Sequence, residues 1–174
     1  MNPPNIQLNR TFLPTPALLF NRLQQTVVWD ERMKARKTAS FGVAYNYSQI
    51  TYPEAPMPAE LSQVCQAIGA ELGFVPNNCL LNYYSDGAAS MGFHSDSATE
   101  LAEGTGVAIV SLGGERRIVY RNKRDRSAEF SYALNSGSLL FMSNAVQEEW
   151  LHAIPKAENA SERISLTFRQ IHAR

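Results

Sequence analysis

The chain has 174 residues, 44% of them hydrophobic and 18% charged, which describes an ordinary globular protein that forms a single domain with a sizeable core. Sixteen Lys and Arg residues balance sixteen Asp and Glu residues, so a global electrostatic attraction to nucleic acid is excluded. No apolar run approaches about 18 residues and no signal-peptide pattern is visible, so we expect a cytoplasmic protein with no membrane association. Cys65 and Cys79 have apolar neighbours and are expected to be reduced thiols. We also expect the protein to be a monomer.

Two helices are predicted in the N-terminal part of the chain. The first has Thr15 as its cap and Pro16 at its first position, and an apolar stripe continues towards Trp29. The second begins at Ala59, carries apolar residues at helical spacing and ends at Gly73. The proline-rich stretch at 52–58 predicts a loop between them.

A basic run and an aromatic run lie between these helices. Residues 30–39 are rich in Lys and Arg, a pattern that is typical either of a solvated connector or of a local patch, at residues 32–37, that binds phosphates. The segment that follows is predicted as strand and loop, and its aromatic residues are Phe41, Tyr45 and Tyr47. These rings either stack on nucleobases, as in proteins that bind single strands, or are half-buried strand residues.

After Pro76 the pattern changes to strands separated by Gly-rich turns. Six strands are predicted, at 79–84, 107–112, 116–121, 130–134, 138–142 and 163–171. The fourth and fifth are predicted to pair around the Asn-Ser-Gly turn at 135–137. Two helices followed by a run of strands predict a mainly β protein with N-terminal helices, in which two antiparallel sheets pack together.

Two histidines and an aspartate form a candidate metal site. His94 and Asp96 are separated by one residue, so an extended backbone points both to the same side. His152 lies in apolar sequence, where an unpaired histidine is costly. Two histidines and one carboxylate can occupy one face of six-coordinate iron(II). The alternatives are a surface turn at His94–Asp96 and a hydrogen-bonded core histidine at His152; His172, near the C-terminus, is assigned no role.

Polar residues on two strands form a candidate site for a dicarboxylate. Arg163 and Arg169 share a face of the last strand, roughly 20 Å apart at ~3.3 Å per residue, so they cannot both clasp one carboxylate. One would bind the far end of a dicarboxylate while the other reaches in near the metal. Asn82 and Tyr84 share a face of another strand and could orient a cosubstrate through hydrogen bonds. Alternatively, both arginines face solvent in ion pairs.

Together these motifs resemble the AlkB family of iron(II)- and 2-oxoglutarate-dependent dioxygenases, over residues 36–171 and most densely after Leu80. The resemblance rests on Asn82-x-Tyr84, His94-x-Asp96, the distant His152 and Arg163-x5-Arg169. It implies a double-stranded β-helix, or jelly roll. Residues 1–78 would then supply helical support and a substrate lid, and residues 79–174 the catalytic core.

The resemblance also implies the chemistry. Iron(II) would be bound by His94, Asp96 and His152, and 2-oxoglutarate by Asn82, Tyr84 and Arg163, with Arg169 towards the metal and substrate. Together with O2 these groups would oxidise N-alkyl groups on DNA or RNA bases, releasing a methyl group as formaldehyde. The expected substrate contacts are Phe41, Tyr45, Tyr47 and Ser97, with Phe41 stacking on the base against the His94 ring.

Two departures from the family pattern leave the substrate open. Ser97 stands where the closest repair enzymes have a further Asp, and Ser165 where Asn is common. Neutral charge and Ser97 favour an alternative, a hydroxylase of the same fold that acts on a protein, lipid or small molecule. A jelly-roll binding module without catalysis is a third reading.

Two further features bear on a nucleic-acid partner. Residues 29–35 are too few to project the aromatic finger of duplex-repairing relatives, so single-stranded DNA or RNA is favoured. Six basic residues lie from Arg116 to Arg126, at the predicted end of a β-hairpin. They either contact the phosphates of a nucleic acid or are simply solvated.

Overall fold

The structure is a computed structural model, and it describes residues 1–47 and 49–172. In chain order its elements are β1 (Ile6–Asn9), α1 (Pro16–Thr26), β2 (Lys37–Gly42), β3 (Tyr45–Tyr47), β4 (Ile50–Tyr52), α2 (Ala59–Leu72), β5 (Asn78–Tyr84), β6 (Met91–His94), β7 (Gly106–Gly113), β8 (Arg116–Asn122), β9 (Glu129–Leu134), β10 (Leu139–Ser143), α3 (Asn144–Glu149), β11 (Trp150–Ile154) and β12 (Arg163–Arg169).

Two antiparallel sheets form the body of the protein. The larger has six strands in the order β1-β10-β7-β12-β5-β2, and the smaller has four in the order β6-β11-β8-β9. Strands β3 and β4 form a separate two-stranded hairpin. From β9 onwards, successive strands alternate between the two large sheets, as in a double-stranded β-helix. The predicted mainly β jelly roll with N-terminal helices is confirmed.

The larger sheet has a hydrophobic cluster on each face. On one face α1 and α2 pack Leu23, Leu61 and Ile68 against the sheet. On the other face the two sheets enclose a second cluster that includes Tyr120 and Trp150. Strand β12 serves both faces, because its apolar residues join the helix-side cluster and its polar residues alternate with them. All seven β12 residues are buried, so its arginines do not face solvent.

The predicted hairpin around 135–137 is wrong. Strand β9 pairs with β8 in the smaller sheet, whereas β10 pairs with β7 and β1 in the larger one. The turn between them therefore carries the chain from one sheet to the other. This turn is hydrogen-bonded to the N-terminal segment, since the Leu13 amide donates to the Gly137 carbonyl at 3.0 Å.

The N-terminal part supplies more than helical support. Strands β1 and β2 form the two edges of the six-stranded sheet, and β2 begins inside the basic run that was predicted as a connector. Helix α2 begins and ends as predicted, with Gly73 left-handed at φ 85°. Helix α1 stops at Thr26, and the Thr15 side chain makes no capping hydrogen bond. No helix in the described part of the chain is long and apolar enough to cross a membrane.

Candidate active site

A cavity lies between the two large sheets, and the polar face of β12 forms one of its walls. Strand β12 contributes every second residue, namely Arg163, Ser165, Thr167 and Arg169. Strand β5 pairs with β12 in register and contributes Leu80, Asn82 and Tyr84. The smaller sheet supplies His94 and His152. The alternation predicted for these strands therefore directs the candidate residues into one space.

His94, Asp96 and His152 come together at one end of this cavity. Their ligand atoms all lie within 4.8 Å of one another. His94 on β6 is the register partner of His152 on β11, and the two ring centroids are 4.3 Å apart. Asp96 Oδ1 is 3.6 Å from His94 Nε2, and Asp96 Oδ2 is 4.0 Å from His152 Nε2. The pairing of β6 with β11, which the sequence did not predict, produces this cluster.

The protonation states of the cluster suit a metal ion. His94 Nδ1 lies 2.8 Å from the Gly92 carbonyl, which can only accept, so Nδ1 is the donor in this contact and Nε2 is the ring nitrogen that faces Asp96. Burial lowers the pKa of His152 to about 4, so its imidazole is neutral. Burial alone would raise the pKa of Asp96, but the positive charge of Arg169 acts against it and that pKa is lowered. Two imidazoles and a carboxylate fit iron(II).

Arg169 and Gln147 hold Asp96 from two sides. Arg169 Nη2 is 3.4 Å from Asp96 Oδ2, and both side chains are buried. Gln147 Oε1 accepts a hydrogen bond of 2.8 Å from the Asp96 backbone amide. Gln147 lies on α3, a helix of six residues that the sequence analysis missed because it is too short to show a periodic pattern.

Arg163, in the same cavity, has donors that suit an anion. This side chain is fully buried, and its Nη2 donates to Ser111 Oγ at 3.1 Å. Its Nε and Nη1 have no hydrogen-bond partner among the described residues, and neither has the Tyr84 hydroxyl. Burial lowers the pKa of Arg163. Because a buried cation with unused donors is costly, a bound carboxylate suits this position.

Arg36 is a site residue that the sequence analysis assigned to a solvated connector. It is buried, and its Nε donates to Asn82 Oδ1 at 2.8 Å while Nη1 donates to the Ser90 carbonyl at 2.9 Å. Its Nη2 donates to the Tyr47 hydroxyl. Since a guanidinium only donates, the Asn82 oxygen faces Arg36 and the Asn82 NH2 is left as a donor. Arg36 is two residues before Thr38, which is the register partner of Asn82. Alternation along an extended chain therefore places Arg36 on the same side as Asn82.

Of the four predicted substrate contacts, Tyr45 and Tyr47 lie together beside the site, whereas Phe41 lies away from it. Phe41 pairs with Cys79 and packs in the helix-side cluster, so it lies on the opposite face of the sheet from His94 and cannot stack against it as predicted. The Arg169 guanidinium lies 4.6 Å from the Tyr45 ring, and Tyr47 lines the cavity. Ser97 is exposed, and its hydroxyl is 2.9 Å from that of Thr99.

The basic residues between 116 and 126 do not form one phosphate-binding tip. Arg116 is buried, and Arg121 pairs with Glu129 at 2.8 Å. Lys123 donates to the Gln147 carbonyl at 2.8 Å. The tip between β8 and β9 therefore presents mainly Arg124 and Arg126 to solvent.

Gly87→Ala is expected to push apart the segment before β6 and the segment after β11, the two strands that carry His94 and His152. A Cβ at this position would lie 1.7 Å from the Ala157 carbonyl oxygen, and the Ala157 amide donates to the Gly87 carbonyl at 2.9 Å. We expect a loss of about 1–3 kcal/mol or more of stability and weaker metal binding, measured by thermal unfolding and metal titration. Gly92→Ala is the control, because its Cβ meets nothing within 4 Å. Equal stability of the two variants would contradict the expected clash between a side chain at position 87 and the Ala157 carbonyl.

Comparison with known proteins agrees with the geometry. A profile of the 2OG-Fe(II) oxygenase superfamily matches residues 16–169. The chain is 33% identical over 147 residues to DNA oxidative demethylase ALKBH2 of Homo sapiens, which covers 78% of this chain and 56% of that protein. It is 31% identical over 175 residues to alpha-ketoglutarate-dependent dioxygenase alkB homolog 3 of Rattus norvegicus, covering 88% of this chain and 59% of that protein.

A solved structure shares the fold. The structure of OsALKBH1 matches with a TM-score of 0.70 and 19% identity, covering 98% of this chain and 100% of the other. A jelly roll with a His-Asp-His cluster in its cavity defines a class of metal-dependent oxygenases. The chain belongs to the 2OG-Fe(II) oxygenase superfamily, and the predicted resemblance to the AlkB family is confirmed.

Membership of the superfamily implies iron(II), 2-oxoglutarate and O2, as predicted. The chain spans between half and two thirds of the length of these two curated relatives. The donor set of His94, Asp96 and His152 fits the metal, and the two unused donors of Arg163 fit an anionic cosubstrate.

Proposed function

We propose that the protein is a dioxygenase that removes alkyl groups from N-alkylated bases of DNA or RNA. The observation that carries this proposal is one cavity containing both a His-Asp-His cluster and a buried arginine with unused donors. The similarity to ALKBH2, whose name is DNA oxidative demethylase, supports nucleic acid as the substrate. In the proposed reaction, O2 and 2-oxoglutarate give succinate, carbon dioxide and a hydroxylated N-alkyl group. The hydroxymethyl product of an N-methyl base then releases formaldehyde.

Six residues of the cavity have proposed roles in binding the metal and the cosubstrate. His94, Asp96 and His152 would hold iron(II), and Asn82, Tyr84 and Arg163 would hold 2-oxoglutarate. When bound, these two groups would activate O2, of which one oxygen atom enters the C–H bond and the other enters succinate.

The remaining roles belong to the protein's own groups. Arg169 keeps Asp96 ionised, and the contact of His94 Nδ1 with the Gly92 carbonyl directs Nε2 towards Asp96. The Asn82 NH2, oriented by Arg36, is free to donate to an oxygen of the cosubstrate. Leu80, Ile109 and Ile118 line the same cavity and give it an apolar part.

The hairpin β3–β4, in the region predicted to form the lid, carries the proposed base contacts. Tyr45 and Tyr47 stack on each other, with centroids 6.5 Å apart and planes at 21°. Tyr45 lies against Arg169, which contacts Asp96, so this hairpin is next to the metal cluster. Stacking on an aromatic ring is the sequence-tolerant way to bind an extruded base.

We further propose a preference for single strands. Asp30 and Thr38 exchange backbone hydrogen bonds of 2.7 and 3.0 Å, which closes the segment between them into a short loop. Such a loop is too short to fill the gap left by an extruded base. Unstacking and unpairing a base in a duplex costs a few kcal/mol, and most of that cost is absent in a single strand.

Matched oligonucleotides carrying N-methyladenine or N-methylcytosine test both proposals. We expect formaldehyde release to be roughly tenfold faster, or more, from single strands than from duplexes, because about 1.4 kcal/mol corresponds to a factor of ten. Succinate formation from 2-oxoglutarate tests the oxidative reaction separately. Faster repair of duplexes would contradict the strand preference. Succinate without formaldehyde from either oligonucleotide would favour a hydroxylase of another substrate, as the neutral charge and Ser97 suggest.

We also propose that the protein acts as a cytoplasmic monomer. Cys65 and Cys79 are free and buried. Burial raises the pKa of both thiols, that of Cys65 to about 11, so both stay protonated and unreactive at neutral pH. Two unpaired thiols suit a reducing compartment.

A further inference from the structure

Arg116 is a second buried arginine beside the proposed 2-oxoglutarate site. It is the first residue of β8 and is 2% exposed. Its guanidinium carbon lies 5.3 Å from the centroid of the Tyr84 ring, and that of Arg163 lies 5.0 Å from the same centroid. The two guanidinium carbons are therefore at most about 10 Å apart. Arg116 contacts Tyr84 but is not among the residues that line the cavity.

Backbone carbonyls, and no carboxylate, hold Arg116 in place. Its Nη2 donates to the carbonyls of Ala89 at 2.8 Å and Pro155 at 2.6 Å, and its Nη1 to that of Asp86 at 3.4 Å. Among the described residues, neither Arg116 nor Arg163 forms an ion pair. The Asp86 side chain is exposed and accepts from the Ala88 amide. The two positive charges near Tyr84 thus have no anion in direct contact, and the Asp86 carboxylate acts on Arg116 only from a distance, raising its pKa against the effect of burial.

Carbonyl oxygens solvate a cation but leave its charge in place. The positive potential near Tyr84 therefore comes from two arginines, of which only Arg163 lines the cavity. A ligand with a carboxylate at Arg163 is attracted by both charges, whereas a ligand of the same length without that carboxylate has no negative charge at this position. At an effective dielectric constant of about 20, unit charges about 10 Å apart interact enough to change a dissociation constant by roughly tenfold.

We propose that Arg116 is a positioning residue that makes the pocket select a dicarboxylate: it holds Tyr84 in place and adds a second positive charge behind the carboxylate that Arg163 binds. This inference rests on the proposed use of 2-oxoglutarate. A purely structural role is the competing explanation, because Arg116 also ties residues 86–89 to Pro155, next to the strands that carry His94 and His152. Only the electrostatic role makes the effect depend on ligand charge.

The test compares two ligands on four variants. The ligands are 2-oxoglutarate and 2-oxopentanoate, which has the same chain length without the distal carboxylate. The variants are Arg116→Met, Arg116→Gln, Arg116→Lys and the control Arg117→Met, whose parent side chain is exposed and bound to Ser131. Dissociation constants are measured by calorimetry on iron(II)-loaded protein without oxygen, and folding by thermal unfolding.

We expect Arg116→Met and Arg116→Gln to weaken 2-oxoglutarate binding roughly tenfold, with a much smaller change for 2-oxopentanoate. Arg116→Lys should keep most of the preference, because it keeps the charge, although it is expected to lose stability with the lost carbonyl contacts. Arg117→Met should match the parent protein. If Arg116→Met does not fold, the comparison of Arg116→Gln with Arg116→Lys decides, since these differ in charge.

Two results overturn the inference. One is an unchanged preference for the dicarboxylate in Arg116→Gln, and the other is an equal loss for both ligands in every Arg116 variant. Failure of the proposed function gives a different result, because the parent protein itself would then not bind 2-oxoglutarate.

Discussion

Asp96→Ala is expected to lower iron(II) affinity by more than about a hundredfold and to abolish turnover. Changes in residues that only support a metal ligand cost about 10–100-fold in affinity or activity, and loss of the ligand itself costs more. The substitution also leaves the buried Arg169 without its carboxylate partner. His152→Ala should have the same effect, because the cluster would keep only one imidazole. Iron content after dialysis, metal titration and succinate formation measure these losses.

The third histidine provides the matched control. His172 lies outside the cluster, and its Nε2 is 2.9 Å from the Thr99 carbonyl. His172→Ala should therefore bind iron normally and turn over at the rate of the parent protein. Full iron content and activity in His152→Ala would contradict the proposed ligand set.

The parts of the site that the sequence predicted are those that depend on local geometry. Alternation along β12 places Arg163 and Arg169 on the face opposite Ile164, Leu166 and Phe168, and the structure has this arrangement because each face packs against a different layer. The same rule places Asn82 and Tyr84 together on β5. Helix α2 was also predicted with its bounds, because its apolar spacing and the left-handed Gly73 are local signals.

The parts that the sequence did not predict depend on which strands become neighbours. The Asn-Ser-Gly turn at 135–137 is typical of a hairpin, but turn composition does not specify whether the next strand stays in the same sheet. Phe41 was assigned to the substrate by its residue type, and the register of β2 with β5 places it on the helix side. Arg36 lies in a run of charges, and its burial depends on Asn82, which is distant in sequence.

Arg163→Met is expected to change stability and cosubstrate binding in opposite directions. Arg163 is fully buried, has Ser111 as its hydrogen-bond partner and forms no ion pair among the described residues. Replacing buried charges by apolar residues of similar volume is often neutral or stabilising by about 1–4 kcal/mol. Without ligands the variant should therefore unfold at the same temperature as the parent protein or at a higher one.

The loss of binding in the same variant should be large. Removing one partner of a buried charge pair costs about 3–5 kcal/mol, so the dissociation constant of 2-oxoglutarate should rise at least about a hundredfold. Calorimetry on iron(II)-loaded protein without oxygen measures the binding, and thermal unfolding with and without 2-oxoglutarate measures the stability. Arg163→Lys, which keeps the charge, should retain part of the binding and gain no stability. Unchanged affinity in Arg163→Met would remove Arg163 from the proposed role, and a large loss of stability without ligand would show that Arg163 supports the fold instead.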